Sequence, residues 1–239
     1  MHKPMLHFRS NWLSTTYSRR ILDRNLSQLS NVFRGVVLDI GGRGIGQVQY
    51  RMVYGGGFAQ WISVNLSETL RPDLVANAAA LPLVNHSVDV VLCTQVLEHI
   101  CPEHLSQVAK EMHRVLRNPN PILGELGGVL VLSVPFLYRI HGVPQDYLRF
   151  TEYFLQCWLG WAGFRVIQTI KIGLFFTVLC DMVKQAISEI RPAILRWGFG
   201  LLFLPIAEVL IRLDNCPWIR RSSTLNTFTT GYLVVARKV

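Results

Sequence analysis

A carboxylate followed by closely spaced glycines is the part of this sequence best suited to hold a ligand. The apolar run 36–38 ends at Asp39, and glycines follow at positions 41, 42, 44 and 46. Because glycine has no Cβ, the backbone N–H groups of such a turn can approach a ligand closely. A helix beginning behind the turn would direct its positive N-terminal end to the same place. The segment therefore predicts a nucleotide or nucleoside site at the carboxyl end of a first strand.

A second group of polar residues follows a later apolar strand, within 134–151. His141 is suited to accept a proton near neutral pH, and Asp146 could orient its ring. Arg149 could hold an anionic group of a substrate. The alternative is an ion pair between Asp146 and Arg149 that only pins the loop, with Thr151 capping the next helix. Both interpretations stay open on the sequence.

The elements that would position these residues alternate between strand and helix. Strands are predicted at 36–38, 61–66, 74–77, 87–93, 127–135, 165–172 and 231–237, and helices at 15–33, 45–54, 103–116 and 151–163. This alternation predicts right-handed βαβ units, a parallel sheet and an α/β fold. Residues 1–34 are predicted to be an amphipathic lead-in, which either covers one sheet edge or faces lipid.

The segment 173–222 is longer than a hairpin between the last two strands would need. Its first part is predicted as a helix with an apolar stripe at Phe175, Val178, Leu179, Met182, Val183, Ala186 and Ile190, opposed by Asp181, Lys184, Gln185 and Glu189. Its second part, 193–213, is apolar nearly all round and is interrupted by Pro205. We interpret the pair as a helical insertion in a domain at 35–239. It either lies in a membrane interface, through 174–213, or forms a homodimer contact.

The net charge of +9 is concentrated at the two ends of the chain. Residues 1–34 carry six Lys or Arg against one acid, 35–164 carry eight against ten, and 165–239 carry ten against four. No nucleic-acid-binding motif accompanies this charge, so a nucleic-acid partner is not expected, and a negatively charged membrane surface fits better. The five cysteines form no C-x-x-C pair, and no uncharged run is long enough to span a bilayer. These features favour a cytoplasmic protein that is peripheral to the membrane.

Five segments in order give the glycine turn a more specific meaning. They are Asp39-Ile-Gly-Gly, Val64-Asn-Leu-Ser, Ala76-Asn-Ala-Ala-Ala-Leu-Pro-Leu, Val88-Asp-Val-Val-Leu-Cys and Val96-Leu-Glu-His. Together with Met112-His-Arg-Val-Leu before Gly127-Gly, the chain resembles class I S-adenosylmethionine-dependent methyltransferases of the methyltransferase-11 type. The resemblance covers about 35–172 and the final strand. It implies a Rossmann-like, doubly wound, seven-stranded sheet with an antiparallel last strand.

The resemblance also implies S-adenosylmethionine as cofactor and a set of residues that would bind it. They are Asp39, Gly41, Gly42, Arg43, Gly44, Asn65, Leu66, Asn77, Ala78, Cys93 and Gln95. Asn65 stands where the family has an acid for the ribose hydroxyls, and Asn77 where an acid accepts from the adenine amino group. Arg43 stands in place of a glycine. His141, Asp146 and Arg149 are the catalytic residues that this resemblance suggests, and the acceptor would be a small or lipid-linked molecule.

Two further interpretations follow from the departures. Ubiquinone-type O-methyltransferases resemble the region around Glu98 with a Glu-x-x-Glu-His metal set, but this chain has Gln95 at the first position, so no metal is expected. Arg43, Asn65 and Asn77 also leave open a non-catalytic methyltransferase-like binding or scaffold protein. A nicotinamide oxidoreductase is disfavoured because the G-x-G-x-x-G spacing is absent.

Overall fold

The sheet of this protein has seven strands in the order β3-β2-β1-β4-β5-β7-β6. The structure is a computed structural model and describes residues 15–142 and 145–239, except the side chains of residues 47, 51 and 52. The strands are β1 (Gly35–Ile40), β2 (Phe58–Asn65), β3 (Leu74–Val75), β4 (Val90–Thr94), β5 (Val129–Pro135), β6 (Phe164–Lys171) and β7 (Gly231–Lys238). The strands β1 to β5 are parallel, and β7 runs antiparallel to both of its neighbours.

The helices are α1 (Tyr17–Gln28), α2 (Gln47–Tyr54), α3 (Leu105–Val115), α4 (Glu152–Trp161), α5 (Phe175–Ser188), α6 (Ala193–Leu213) and α7 (Pro217–Arg221). Strand order, strand direction and the helical insertion before the last strand confirm the predicted fold class. The chain separates into two compact units. Among the described residues, the sheet unit comprises 25–142, 145–171 and 231–239, and the helical unit comprises 15–24 and 172–230.

The central strands of the sheet are buried on both faces, which is why they read as continuous apolar runs. Val37, Leu38, Val91, Leu92 and every residue of β5 are buried. The second strand begins at Phe58, earlier than predicted, because the buried Phe58 ring packs against Trp61 with ring centroids 5.1 Å apart. The Trp61 ring also stacks on Tyr50 and Tyr54 of α2, so this helix is fixed against the strand.

The two predicted faces of α5 hold only in part. In the apolar stripe Val178 is buried and Leu179 and Met182 are exposed, whereas Asp181 and Lys184, predicted on the opposite, polar face, are buried. The reason is a set of hydrogen bonds within the helical unit. The Asp181 carboxylate accepts from the backbone N–H groups of Tyr17 (2.6 Å) and Ser18 (3.0 Å), and the Lys184 ammonium donates to the carbonyl of Thr15 at 2.5 Å. The two bonds to Asp181 satisfy otherwise unpaired N–H groups at the start of α1, as a cap would.

The helix α6 is one continuous helix despite Pro205 in its interior. Among its residues only Gly200 and Ala207 are buried. Ala193–Leu213 is long and apolar enough to cross a membrane, judged by length and composition, although the uncharged run predicted from the sequence is shorter. Only 11% of the most apolar stretch of α6 is buried inside the protein, so this helix is not the core of a globular unit.

A buried carboxylate organises the start of α5. Asp214, directly after α6, accepts hydrogen bonds from the N–H groups of Leu174 (2.9 Å), Phe176 (3.0 Å) and Thr177 (3.0 Å) and from the Thr177 hydroxyl (2.6 Å). An anion at a helix N-terminus is favoured by the helix dipole as well as by these bonds. Asp214 therefore ties the end of α6 to the beginning of α5.

Replacing Asp214 with Ala should lower the free energy of unfolding by about 2–3 kcal/mol, because buried N–H groups lose a charged acceptor. Denaturant unfolding followed by circular dichroism measures this loss. Asp23→Ala is the matched control, since it removes an exposed carboxylate 2.9 Å from Arg19 and should cost less than about 0.5 kcal/mol. Equal losses in the two variants would show that the buried bonds of Asp214 add nothing.

Candidate active site

The glycine turn lies at the carboxyl end of β1, between β2 and β4. Gly41 has a φ of +82°, which favours glycine, and its N–H donates to the carbonyl of Val64 in β2 at 2.8 Å. A Cβ on Gly42 would lie only 2.6 Å from an oxygen of the Asp39 carboxylate. Gly46 has a φ of +81°, and a Cβ there would meet open space. The turn is therefore closely packed against Asp39 at Gly42, whereas at Gly46, directly before α2, the space that a side chain would occupy is open.

The two charged residues of the turn are placed differently. Asp39 is buried, and its carboxylate accepts a hydrogen bond from the indole N–H of Trp61 at 3.3 Å. Arg43 is exposed, and its carbonyl accepts from the Tyr50 hydroxyl. The Arg43 side chain thus does not fill the interior of the turn, and it remains accessible to a ligand.

Asn65, at the tip of β2, braces the glycine turn. Its Nδ2 donates to the carbonyls of Gly41 (3.0 Å) and Gly42 (3.1 Å), and its Oδ1 accepts from the N–H of Ser67 (3.0 Å). A carboxylate could make none of the two donated bonds, because it has no N–H. This explains an amide in place of an acid. The predicted contact of Asn65 with a ribose stays a prediction, and only its Oδ1 is suited to make it.

The segment that follows β3 is held by an ion pair from α3. The Glu111 carboxylate accepts from the N–H of Leu81 at 2.8 Å, and Arg114 donates to the carbonyls of Leu81 and Leu83 at 3.0 and 2.7 Å. The hydrogen bond from Arg114 lowers the pKa of Glu111. The exposed Asn77 uses its Oδ1 to accept from the N–H of Ala79 at 2.9 Å, which closes a local turn. Asn77 therefore shapes this segment.

The other residues predicted to bind the cofactor lie along the same edge. Leu66 is exposed and Ala78 is half-buried. Cys93 is fully buried in β4, and this burial raises the pKa of its thiol. Gln95 follows β4 with a φ of +55°, an uncommon conformation for a residue with a side chain, and its Nε2 donates to the Ser133 hydroxyl at 3.2 Å. The side chain of Gln95 thus joins the ends of β4 and β5.

The loop after β5 brings His141, Asp146 and Arg149 together. The Asp146 side chain is fully buried and accepts from Arg149 Nη2 at 2.6 Å and from the backbone N–H of His141 at 3.0 Å. His141 Nδ1 lies 3.2 Å from the same carboxylate. The hydrogen bonds from Arg149 hold the pKa of Asp146 well below its usual range. Asp146 therefore orients the His141 ring and also forms the ion pair that pins the loop, while the catalytic roles of His141 and Arg149 stay predictions.

Arg149 serves the loop more than a substrate. Besides the ion pair with Asp146, its guanidinium donates to the carbonyls of Arg139 (2.9 Å) and Leu148 (2.8 Å). These bonds use the N–H groups that a substrate anion would need, and the ion pair raises the pKa of Arg149. The geometry favours a positioning role for this residue.

Glu98 and His99, which sequence reasoning did not include among the site residues, lie at the centre of the cluster. Glu98 is fully buried, and within the described part of the chain neither of its carboxylate oxygens has a hydrogen-bond partner. Burial raises the pKa of Glu98 to about 7. His99 Nε2 and His141 Nε2 lie 3.8 and 3.9 Å from Glu98 Oε1. An adjacent Glu and His directly after a buried strand was the signal that could have found them.

A family model and several solved structures are similar to this chain. Residues 38–119 match the model of a methyltransferase domain. A SAM dependent methyltransferase from Archaeoglobus fulgidus superposes with a TM-score of 0.56 at 16% identity, covering 92% of this chain and 94% of that one. No curated protein matches the sequence.

Two ligand-bound structures are similar as well. One is a 1,6-didemethyltoxoflavin-N1-methyltransferase from Burkholderia thailandensis with bound 1,6-didemethyltoxoflavin and S-adenosylhomocysteine (TM-score 0.53, 17% identity, covering 97% and 82%). The other is a geranyl diphosphate C-methyltransferase from Streptomyces coelicolor A3(2) with Mg²⁺, geranyl diphosphate and S-adenosyl-L-homocysteine (TM-score 0.56, 13% identity, covering 92% and 78%). The segment 38–119 therefore matches a methyltransferase domain, and the sheet order is that of the fold shared by these S-adenosylmethionine-dependent methyltransferases.

Proposed function

We propose that this protein is an S-adenosylmethionine-dependent methyltransferase that acts on a small or lipid-linked acceptor at the cytoplasmic face of a membrane. The observation that carries the proposal is the glycine turn at the end of β1, which lies inside the matched segment 38–119 and is braced by Asn65. When bound, the cofactor supplies an electrophilic methyl group on a sulfonium. The residues of the chain bind, align and shield the two reactants.

The residues of the turn fit the cofactor. Gly46 leaves clear space in front of α2, and a helix N-terminus favours a carboxylate such as that of the methionyl group. The exposed Arg43 can pair with the same carboxylate. Asn65 Oδ1 and the segment around Ala78 would face the ribose and the purine. We therefore assign Arg43 to the methionyl end of the cofactor, in place of the glycine found in the family.

The loop after β5 would hold the acceptor. The carboxyl ends of parallel strands meet at one edge, so this loop and the glycine turn face the same side of the sheet. Asp146 and Arg149 fix the loop, and His141, with its Nδ1 at Asp146, is the group that would receive a proton from the acceptor. Burial lowers the pKa of His141, which favours the neutral form of the ring, the form that can accept a proton.

The membrane part of the proposal rests on the helical unit. Large exposed apolar side chains cover α6: Ile194, Leu195, Trp197, Phe199, Leu201, Leu202, Ile206 and Val209. Arginines 191, 196, 212, 220 and 221 lie within or beside this helix and its neighbour α7. An apolar helix edged by cations complements the acyl and phosphate layers of an anionic membrane surface. A second copy of this chain is the competing occupant, and it would give a homodimer.

A scaffold without catalysis is the second candidate function. It is favoured by one observation, that polar atoms of both Asn65 and Asn77 are used to hold the fold. A scaffold of this kind would bind neither the cofactor nor its product, so one titration separates the two candidates.

Isothermal titration should detect binding of S-adenosylmethionine and of S-adenosylhomocysteine to the wild-type protein. Arg43→Ala should weaken this binding about tenfold, because one charge-assisted hydrogen bond to the methionyl carboxylate is lost. Asp39→Ala should abolish it. Glu125→Ala, an exposed acid far along the chain, is the control and should bind normally. If the wild-type protein gives no heat with millimolar ligand, the enzyme proposal fails and the scaffold remains.

Flotation with vesicles that contain an anionic phospholipid should recover the wild-type protein with the lipid. Leu202→Glu with Val209→Glu should abolish recovery, because two carboxylates seven residues apart then occupy one exposed face of α6. Ile122→Glu is the matched control, since Ile122 is 94% exposed on the sheet unit. Release by alkaline carbonate would indicate an interfacial helix. Equal recovery of all three proteins, or a dimer that the α6 substitutions dissociate, would contradict the membrane proposal.

A further inference from the structure

The carboxylate of Glu98 and the imidazole rings of His99 and His141 lie close together. Glu98 Oε1 lies 3.8 Å from His99 Nε2 and 3.9 Å from His141 Nε2, which is too far for direct hydrogen bonds. The ligand atoms offered by the three side chains all lie within 4.8 Å of one another. Two ligands of one tetrahedral zinc ion are about 3.4 Å apart when each bond is about 2.1 Å. The two distances from Glu98 are thus about half an ångström longer than a single ion requires, and no pair among the three groups is farther apart than 4.8 Å.

The outer nitrogen of each imidazole is held by the loop after β5. His99 Nδ1 lies 2.6 Å from the carbonyl of Gln145, and His141 Nδ1 lies 3.2 Å from the Asp146 carboxylate. Both partners accept a hydrogen bond, so each ring carries its proton on Nδ1 and presents the Nε2 lone pair to Glu98. Metal-binding histidines are oriented in the same way, by acceptors that hold the nitrogen away from the metal.

The buried carboxylate provides the second, independent reason for an ion. Glu98 is 0% exposed, and both of its oxygens lack a hydrogen-bond partner among the described residues. Leaving a buried carboxylate unpaired is costly, whereas a bound cation would satisfy it. The backbone around it is fixed, since the carbonyl of Glu98 accepts from the N–H of Tyr147 at 2.7 Å. The backbone of Glu98 is thus fixed, while its carboxylate has no hydrogen-bond partner among the described residues.

We propose that Glu98, His99 and His141 bind a divalent transition metal, with Zn²⁺ as the first candidate. Two imidazoles and one carboxylate suit Zn²⁺, Fe²⁺ or Mn²⁺, and three protein ligands leave an open coordination position. The expectation of no metal rested on Gln95, whose side chain binds Ser133 instead. His141 supplies the third ligand from a different loop, which spacing along the sequence does not reveal.

The metal would also bear on proton removal, and this step rests on the proposed function. A hydroxyl of the acceptor at the open position would be acidified by the ion and would lose its proton to water. With the metal bound, His141 Nε2 would be a ligand, so the role of its ring as proton acceptor would belong to the metal-free protein alone.

Titration of the metal-stripped protein with ZnCl₂, without any methyl donor, tests the site. Wild type should bind a single equivalent. Glu98→Gln, which keeps the shape of the side chain, and His141→Ala should each weaken binding on the order of 100-fold or more. Cobalt in place of zinc should give the visible spectrum of a four- or five-coordinate site, which the two variants should lose. Circular dichroism checks that the variants are folded.

His104→Ala with Glu103→Gln is the matched control. This pair has the same residue types 3.5 Å apart, but its side chains are 56% and 72% exposed. It should leave the titration unchanged. The proposal is overturned if wild type binds no more tightly than Glu98→Gln, or if the control removes the same equivalent. Titration with S-adenosylmethionine is a separate measurement, so failure of the metal site and failure of the methyltransferase proposal are distinguishable.

Discussion

The parallel pairing of β1 with β2 on one side and β4 on the other is the constraint on which the site depends. Asp39 pairs in register with Ser63 and with Leu92, so the ends of all three strands arrive at one edge. The chain must turn sharply there, and Gly41 makes the turn with a positive φ while its N–H continues the ladder to Val64. Asn65 then closes the arrangement by donating to two carbonyls of the turn. A ligand site follows from sheet geometry and from the absence of a Cβ at a few positions.

A second constraint is electrostatic and acts on the loops after β4 and β5. The Glu98 carboxylate is buried without a hydrogen-bond partner among the described residues. The Asp146 carboxylate is buried too, but it accepts hydrogen bonds from the His141 N–H and from Arg149. The two carboxyls consequently titrate in opposite directions, because burial raises the pKa of Glu98 whereas Arg149 lowers that of Asp146. Such a separation of two acids within one cluster is typical of a functional site. His141 lies between the two acids, with Nδ1 3.2 Å from Asp146 and Nε2 3.9 Å from Glu98.

The sequence was sufficient for the sheet and for the glycine turn, because both depend on local patterns. Apolar runs between turns identify buried strands, and the order of five motifs predicted the resemblance to a methyltransferase domain that residues 38–119 match. It was insufficient for α5, where Asp181 and Lys184 are buried by bonds to residues more than 160 positions away. It named His141 but did not predict that His141 meets Glu98 and His99, because these residues lie on two different loops that converge only through the neighbouring strands β4 and β5. Long-range hydrogen bonds and convergence between loops leave no periodic signal.

The departures from the family pattern have physical reasons that bear on the choice between an enzyme and a scaffold. Asn65 makes three hydrogen bonds, two of which an acid could not make, and Asn77 closes a turn with the oxygen that an acid would also offer. These bonds hold the fold, and a scaffold would need them as much as an enzyme. Arg43 differs, because its side chain is exposed and no hydrogen bond of its guanidinium is described, while the turn is open at Gly46. Of the three departures, the charge of Arg43 is thus the one that favours a ligand site over a scaffold.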